Sequence, residues 1–93
     1  MRYDRVTKKR STDGTFYHCP CCGYRTLEER GGDEICQVCF WHDDGQDDPN
    51  ADYVWGGPNY ELSLTQARQN FRDFGACCRR VIPHVRKPRP DEI

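Results

Sequence analysis

Hydrophobic positions in this chain are sparse, and they fall into a few short patterns. Thr15-Phe16-Tyr17-His18 reads as a strand running into a cysteine pair, and Tyr24-Arg25-Thr26-Leu27-Glu28 alternates large and polar side chains as a half-buried strand does. Arg30-Gly31-Gly32-Asp33 follows as a turn in which glycine supplies the positive φ of a tight hairpin, and Glu34-Ile35-Cys36 returns from it. Farther along, Leu64, Ala67, Phe71 and Phe74 recur at spacings of three and four, the stripe of an amphipathic helix. Ser63 with Gln66 forms a capping-box pair at its start, and Gly75 stands where a left-handed residue closes such a helix, which predicts α-structure over about residues 63–75.

The segments around these elements lack periodicity. Residues 42–59 are rich in Gly, Asp and Pro and read as an ordered loop hung on Trp41, Tyr53, Trp55 and Tyr60. Val81-Ile82 suits a short strand, but Pro83, Pro88 and Pro90 bar a longer one, so the chain is expected to be loose after Arg86. The organisation predicted is a basic arm over residues 1–14, one domain over 15–78, and a basic, proline-rich tail over 79–93.

Cysteines give that domain its chemistry. Cys19-Pro20-Cys21-Cys22-Gly23 and Cys36-Gln37-Val38-Cys39 contain two C-x-x-C pairs, Cys19 with Cys22 and Cys36 with Cys39, separated by 13 residues. Two such pairs on a short hairpin let four thiolates converge on one Zn²⁺ at about 2.3 Å, leaving no position open for water or substrate. Gly23 suits the turn after the first pair, where a side chain would obstruct the backbone. Cys21 is then the spare, read as a small buried hydrophobe, and Cys77-Cys78 as two inert thiols. His18 and His42 flank the pairs as outer hydrogen-bond partners or surface groups, because four thiolates complete the site. The fold class is a small zinc-bound α+β protein: a rubredoxin-like zinc ribbon, a β-hairpin with two knuckles, extended by an aromatic-rich loop and one C-terminal helix.

Size makes the metal a staple. The chain has 93 residues, 35% of them hydrophobic, with only three Leu and three Ile, and a mean hydropathy of -0.99. Ordering each residue costs roughly 1–2 kcal/mol, so a core this thin needs a metal or a cross-link. Seven cysteines cannot all pair, whereas four reduced ligands and three free thiols fit a reducing compartment. With no apolar run of secretory-signal or membrane-span length, the location expected is cytoplasmic.

Charge is segregated behind a net value of -1. Arg2, Arg5, Lys8, Lys9 and Arg10 open the chain, and Arg79, Arg80, Arg86, Lys87 and Arg89 close it. Between Gly31 and Ala67 there is no Lys or Arg, while Asp33, Glu34, Asp43, Asp44, Asp47, Asp48, Asp52 and Glu61 fall there. A zinc ion on four thiolates adds a formal -2. The aspartates around Gly45 lack the ligand order of a calcium loop. Neither a G-x-S-x-G nor an H-E-x-x-H motif occurs, and the three histidines are scattered, so no enzyme is expected.

The function these features favour is a non-catalytic, zinc-stabilised interaction module presenting an acidic surface to a basic protein partner. Asp43, Asp44, Asp47, Asp48, Trp41 and Trp55 are the candidate contacts, and an inhibitor or immunity-type protein is one specific form. The alternative is a zinc ribbon that binds nucleic acid through its basic termini. A third is an iron-loaded electron carrier, since four thiolates accept either metal.

Taken in order, Cys-Pro-Cys-Cys-Gly-Tyr-Arg-Thr-Leu, Ile-Cys-Gln-Val-Cys-Phe-Trp followed one residue later by Asp-Asp-Gly, Gly-Gly-Pro-Asn, and Ser-Leu-Thr-Gln-Ala-Arg-Gln-Asn-Phe-Arg-Asp-Phe-Gly resemble the bacterial cysteine-rich CPCC family over about residues 17–76. That family is one of unknown function, so the resemblance implies a fold and a zinc site. The chain departs from the family pattern at Gln37, where proline is usual, and at His42, where an acidic residue is usual.

Overall fold

Two hairpins carry the two cysteine pairs. In the structure, a computed structural model that describes residues 16–93, β1 (Tyr17–His18) runs antiparallel to β2 (Arg25–Leu27) across the first pair. Tyr17 stands opposite Leu27 and His18 opposite Arg25, with an irregularity between them. Across the second pair, Ile35 bridges to His42, and Asp33 and Asp43 extend the contact: the Asp33 N–H donates to the Asp43 carbonyl, and the Asp43 N–H to Glu34, both at 2.9 Å. The arm expected over residues 1–14 lies outside the described residues.

This corrects the expected pairing. The sequence suggested one hairpin closed by Gly31-Gly32, but among the described residues the pairing runs across each cysteine turn. A C-x-x-C turn reverses the chain on its own, so the strands on either side of it are the nearest partners. Residues 30–33 serve as the connector between hairpins. Glu34 Oε1 fastens it by accepting from the backbone N–H groups of Glu28 (2.8 Å) and Glu29 (3.3 Å).

The helix α1 (Leu64–Phe74) forms where the apolar stripe placed it. Ser63 Oγ caps it by accepting from the Gln66 N–H at 3.0 Å, and Gly75 ends it at φ 82°, a conformation with a steric cost for any residue bearing a Cβ. Only half of the capping box is made, because the Gln66 side chain reaches forward to Asn70 at 2.9 Å. Leu64 and Ala67 are fully buried, and Phe71 meets Tyr24 edge to face at 6.3 Å between centroids. On the polar side, Arg68 donates to the Pro20 carbonyl at 2.8 Å and ties the helix to the first cysteine turn. Among the described residues no helix is long and apolar enough to cross a membrane.

Trp41 lies at the centre of the core, 0% exposed, with Leu27, Val38, Leu64 and the cysteines Cys19, Cys36 and Cys39. The loop that follows is not hung on aromatics as expected: Tyr53 is 64% exposed, and Trp55 and Tyr60 are exposed as well. Turn-rich backbone needs hydrogen-bond partners more than apolar contact, and two buried amides provide them. Gln46 donates to the carbonyls of Asn50 (3.0 Å) and Tyr53 (2.6 Å), and Asn59 bridges the N–H and carbonyl of His42 at 3.2 and 2.8 Å.

The segment expected as a loose tail packs back on β2. Residues Arg79–His84 and Pro90–Glu92 form 3-10 turns. The proline at the head of the second turn favours it, since a first-turn residue needs no N–H donor. Arg86 forks onto both Glu92 carboxylate oxygens at 2.8 Å, Arg89 donates its N–H to the same group at 2.8 Å, and Arg25 reaches the Ile93 carbonyl at 3.0 Å. Hydrogen bonding from Arg86, opposed by burial and helped by the Arg89 N–H, holds the Glu92 carboxyl down to about 2 from an ordinary 4.5. A depressed carboxylate stabilises the folded state fully above its unfolded pKa, and the contribution is lost as pH falls through the folded value. Docking of residues 86–93 should therefore persist at pH 4 and fail as pH approaches 2. An NMR titration following the Ile93 amide checks this. A midpoint near 4.5, or no change in Glu92→Gln at neutral pH, would contradict it.

Candidate metal centre

Both cysteine turns are built on one hydrogen-bond plan. In the first, the Gly23 N–H donates to the Cys19 carbonyl and the Cys19 N–H to the Tyr24 carbonyl, both at 2.8 Å. In the second, the Phe40 N–H donates to Cys36 at 2.7 Å and the Cys36 N–H to Trp41 at 2.9 Å. Each plan requires a left-handed residue after the second cysteine, and Gly23 (φ 85°) and Phe40 (φ 70°) take that place. Glycine does so without strain; phenylalanine does not.

These turns bring the four expected ligands together. The Sγ atoms of Cys19, Cys22, Cys36 and Cys39 lie within 4.8 Å of one another, with Cys19 to Cys39 at 3.6 Å and Cys22 to Cys36 at 3.7 Å. A tetrahedron of sulfurs about 2.3 Å from a zinc ion has edges of about 3.8 Å, so the donor set fits one such ion. Without a cation the four groups oppose one another's ionisation. Burial pushes the Cys19 thiol well above its ordinary value, contact with Cys19 and then Cys21, opposed by Cys22, pushes Cys39 up, and Cys36 alone is driven down by hydrogen bonds from Cys19, Cys22 and Cys39. A divalent cation relieves that opposition for all four at once.

Thr26 completes the surroundings. Its hydroxyl donates to Cys36 Sγ at 3.0 Å from a buried position on β2. Nothing in the cysteine spacing pointed to it; the signal was strand alternation, which sets Thr26 on the side opposite Arg25. Such outer partners typically govern metal affinity by roughly 10–100-fold. Thr26→Val should accordingly release metal to a chromogenic chelator at a tenfold lower chelator concentration, with the melting temperature of the loaded protein little changed. Equal retention would show the hydroxyl to be incidental.

The remaining candidates fall into place around the cluster. His18 donates through Nδ1 to the Gly23 carbonyl at 2.8 Å and buttresses the first turn, while the His42 ring meets Phe40 edge to face; neither joins the sulfur cluster. Cys21 is buried in the core. Cys77 and Cys78 are buried too; burial, then Cys78 and Cys21, push the Cys77 thiol up, and its N–H donates to the Cys39 carbonyl at 2.8 Å.

The acidic block does not form the outward surface expected of it. Asp43 is 0% exposed. Its Oδ2 accepts from Arg30 Nε at 3.0 Å and the Gly31 N–H at 2.7 Å. Arg30 also reaches Asp47 at 3.0 Å and the Gln46 carbonyl at 3.2 Å. Burial disfavours the charged guanidinium, but the two carboxylates outweigh it and the Arg30 pKa ends raised. Asp44 accepts from the Gln46 N–H and from Asn59, yet burial still lifts its pKa. Asp48 is exposed and paired with Arg68 at 2.7 Å. Of the six residues expected to meet a partner, Trp41 and Asp43 are interior, Asp44 and Asp47 are partly buried and turned to the loop's own groups, and Asp48 and Trp55 reach the surface. A charged loop of this kind closes on Arg30, the cation just before it in the chain, because unpaired buried carboxylates would be costly.

A family model described as Cysteine-rich CPCC matches residues 17–92, which take in both cysteine turns, α1 and the Glu92 clasp. No curated protein and no solved structure matches the chain.

Proposed function

The chain belongs to the cysteine-rich CPCC family, and from that premise we propose that its four clustered cysteines hold one zinc ion as the structural staple of a small, non-catalytic binding module of rubredoxin-like zinc-ribbon type. The observation that carries this reading is the sulfur geometry: two contacts of 3.6 and 3.7 Å, close to the edge of a ZnS₄ tetrahedron. The matching hydrogen-bond plans of the two turns support the ribbon. With four protein sulfurs as ligands, no coordination position remains for a substrate or an activated water, which supports a structural role over a hydrolytic one.

Partner binding then falls to the surface that the staple orders. Tyr53, Val54 and Trp55 form a consecutive exposed apolar stretch next to the buried Gln46 that anchors their backbone. A protein partner is better met by this stretch than by the aspartates, of which Asp43, Asp44 and Asp47 are engaged within the loop and by Arg30, and Asp48 by Arg68 of α1. Elemental analysis and a visible spectrum of the purified protein test the metal assignment. One equivalent of zinc in a colourless protein is expected, whereas a red protein containing iron would make it a one-electron carrier.

A further inference from the structure

A groove of about 380 Å³ opens beside the second cysteine turn, lined among others by Phe40, His42, Tyr60, Cys78, Arg80 and Val81. That volume lies within the range of small-molecule sites, roughly 300–1,000 Å³. No aspartate or glutamate lines it, in a chain that carries 15 acidic residues against 14 basic ones. The Arg80 guanidinium lies over the Tyr60 ring at 4.3 Å from its centroid, and neither Arg79 nor Arg80 makes an ion pair among the described residues. Arg30, Arg68, Arg86 and Arg89 all do. The groove therefore presents one arginine, Arg80, with no carboxylate partner among the described residues, held only against the ring of exposed Tyr60.

Tyr60 is also difficult to explain as a folding residue. It takes φ 56°, ψ -124°, a positive φ that is an outlier for a bulky residue, and the residue is 61% exposed, so burial does not offset the strain. Phe40, across the groove, holds φ 70° and stacks on His84 at 5.4 Å. Two of the three non-glycine residues with positive φ among those described are thus the aromatic walls of one groove. Phe40 offsets its backbone strain by packing its ring against the core, whereas the Tyr60 ring is exposed and glycine would serve its turn better.

We infer that this groove binds a planar aromatic anion of nucleotide size, its phosphate drawing the Arg80 guanidinium off the Tyr60 ring and its own ring taking the face that Arg80 now covers. Every base has a face that stacks on an aromatic side chain, and arginine presents a fork matched to phosphate. The site stands apart from the metal reading, since none of its contacts uses a zinc ligand.

Titration of the full, metal-loaded chain with AMP, followed by NMR shifts of Tyr60, Arg80 and His42, tests the assignment. AMP should shift these residues with adenosine at least about tenfold weaker. Tyr60→Gly and Arg80→Gln should each lower AMP affinity by at least about tenfold, the scale of one stacked base or one phosphate contact. Tyr60→Gly should melt at or above the parent temperature, because it relieves the backbone; a purely structural Tyr60 would lower it. A single-stranded d(A)₆ arm distinguishes the source: tighter binding than AMP points to a strand, equal binding to the free nucleotide. No shift with either probe at millimolar concentration, or equal affinity in parent and both variants, would overturn the proposal.

Discussion

Replacing Cys36 with serine is expected to leave the protein without a stable fold at room temperature. Cys36 is fully buried, contacts Cys22 Sγ, and receives the Thr26 hydroxyl. Serine offers a poor zinc ligand and leaves a buried hydroxyl among sulfurs. The apparent binding free energy of structural zinc is about 10–16 kcal/mol in finger peptides, against a typical total stability of about 5–15 kcal/mol for a whole domain. The apolar side chains cannot make up such a loss, since among the described residues Trp41, Leu27, Leu64 and Val38 are the only large hydrophobic residues in the fully buried set apart from the cysteines. Circular dichroism should show collapse of the α1 signal and no cooperative melt, as should the parent protein stripped with a chelator. Cys21→Ala, which removes a buried thiol outside the cluster, should cost only about 1 kcal/mol. A Cys36→Ser protein melting within a few degrees of the parent would mean that the sulfur cluster does not hold the fold together.

The second large effect is expected at Arg30. Its guanidinium ties Asp43, Asp47 and the Gln46 carbonyl into one cluster. In Arg30→Met the stem is kept and the charge removed, leaving the Asp43 carboxylate in the interior with the Gly31 and Gly45 N–H groups as its remaining partners. Breaking a buried pair from one side costs about 3–5 kcal/mol, because the other charge stays buried. Urea denaturation should show a loss of that size, and the double variant with Asp43→Asn should recover part of it, the coupling that neighbouring residues display. Asp48→Asn provides the contrast: Asp48 is 80% exposed and, among the described residues, pairs only with Arg68, and exposed pairs contribute about 0–1 kcal/mol. Equal losses in Arg30→Met and Asp48→Asn would contradict this reading of the loop.

Asp43 and Asp48 also show where sequence reading stopped. Each belongs to an Asp-Asp pair within one acidic stretch, and nothing local distinguishes them; one is interior and the other exposed because the loop closes on Arg30, a contact 13 residues back. By contrast, the cysteine ligands and the helix caps were legible, since spacing within a few residues fixes both. Ser63 and Gly75 took their expected roles, and Cys19, Cys22, Cys36 and Cys39 converged. Gly31-Gly32 is a stronger local turn signal than the cysteine turns, whose reversal is plain only once their hydrogen bonds are counted, so sequence alone points to the wrong strand pairing. Phe40 is hidden for a related reason: its left-handed backbone mirrors that of Gly23, but a phenylalanine carries no such mark. The prolines near the C-terminus predict a loose chain, yet Pro90 heads a turn that brings Glu92 onto Arg86 and Arg89.

If one metal ion on four sulfurs makes this fold stable, as proposed, returning Zn²⁺ stepwise to the metal-free, reduced chain will change its two-dimensional amide NMR spectrum throughout. A collapsed spectrum is expected without metal and a dispersed one that grows in and saturates at one equivalent, with Cys19, Cys22, Cys36 and Cys39 showing the Cβ shifts of zinc-bound thiolates. A spectrum already dispersed before zinc is added, and unchanged by it, would contradict this.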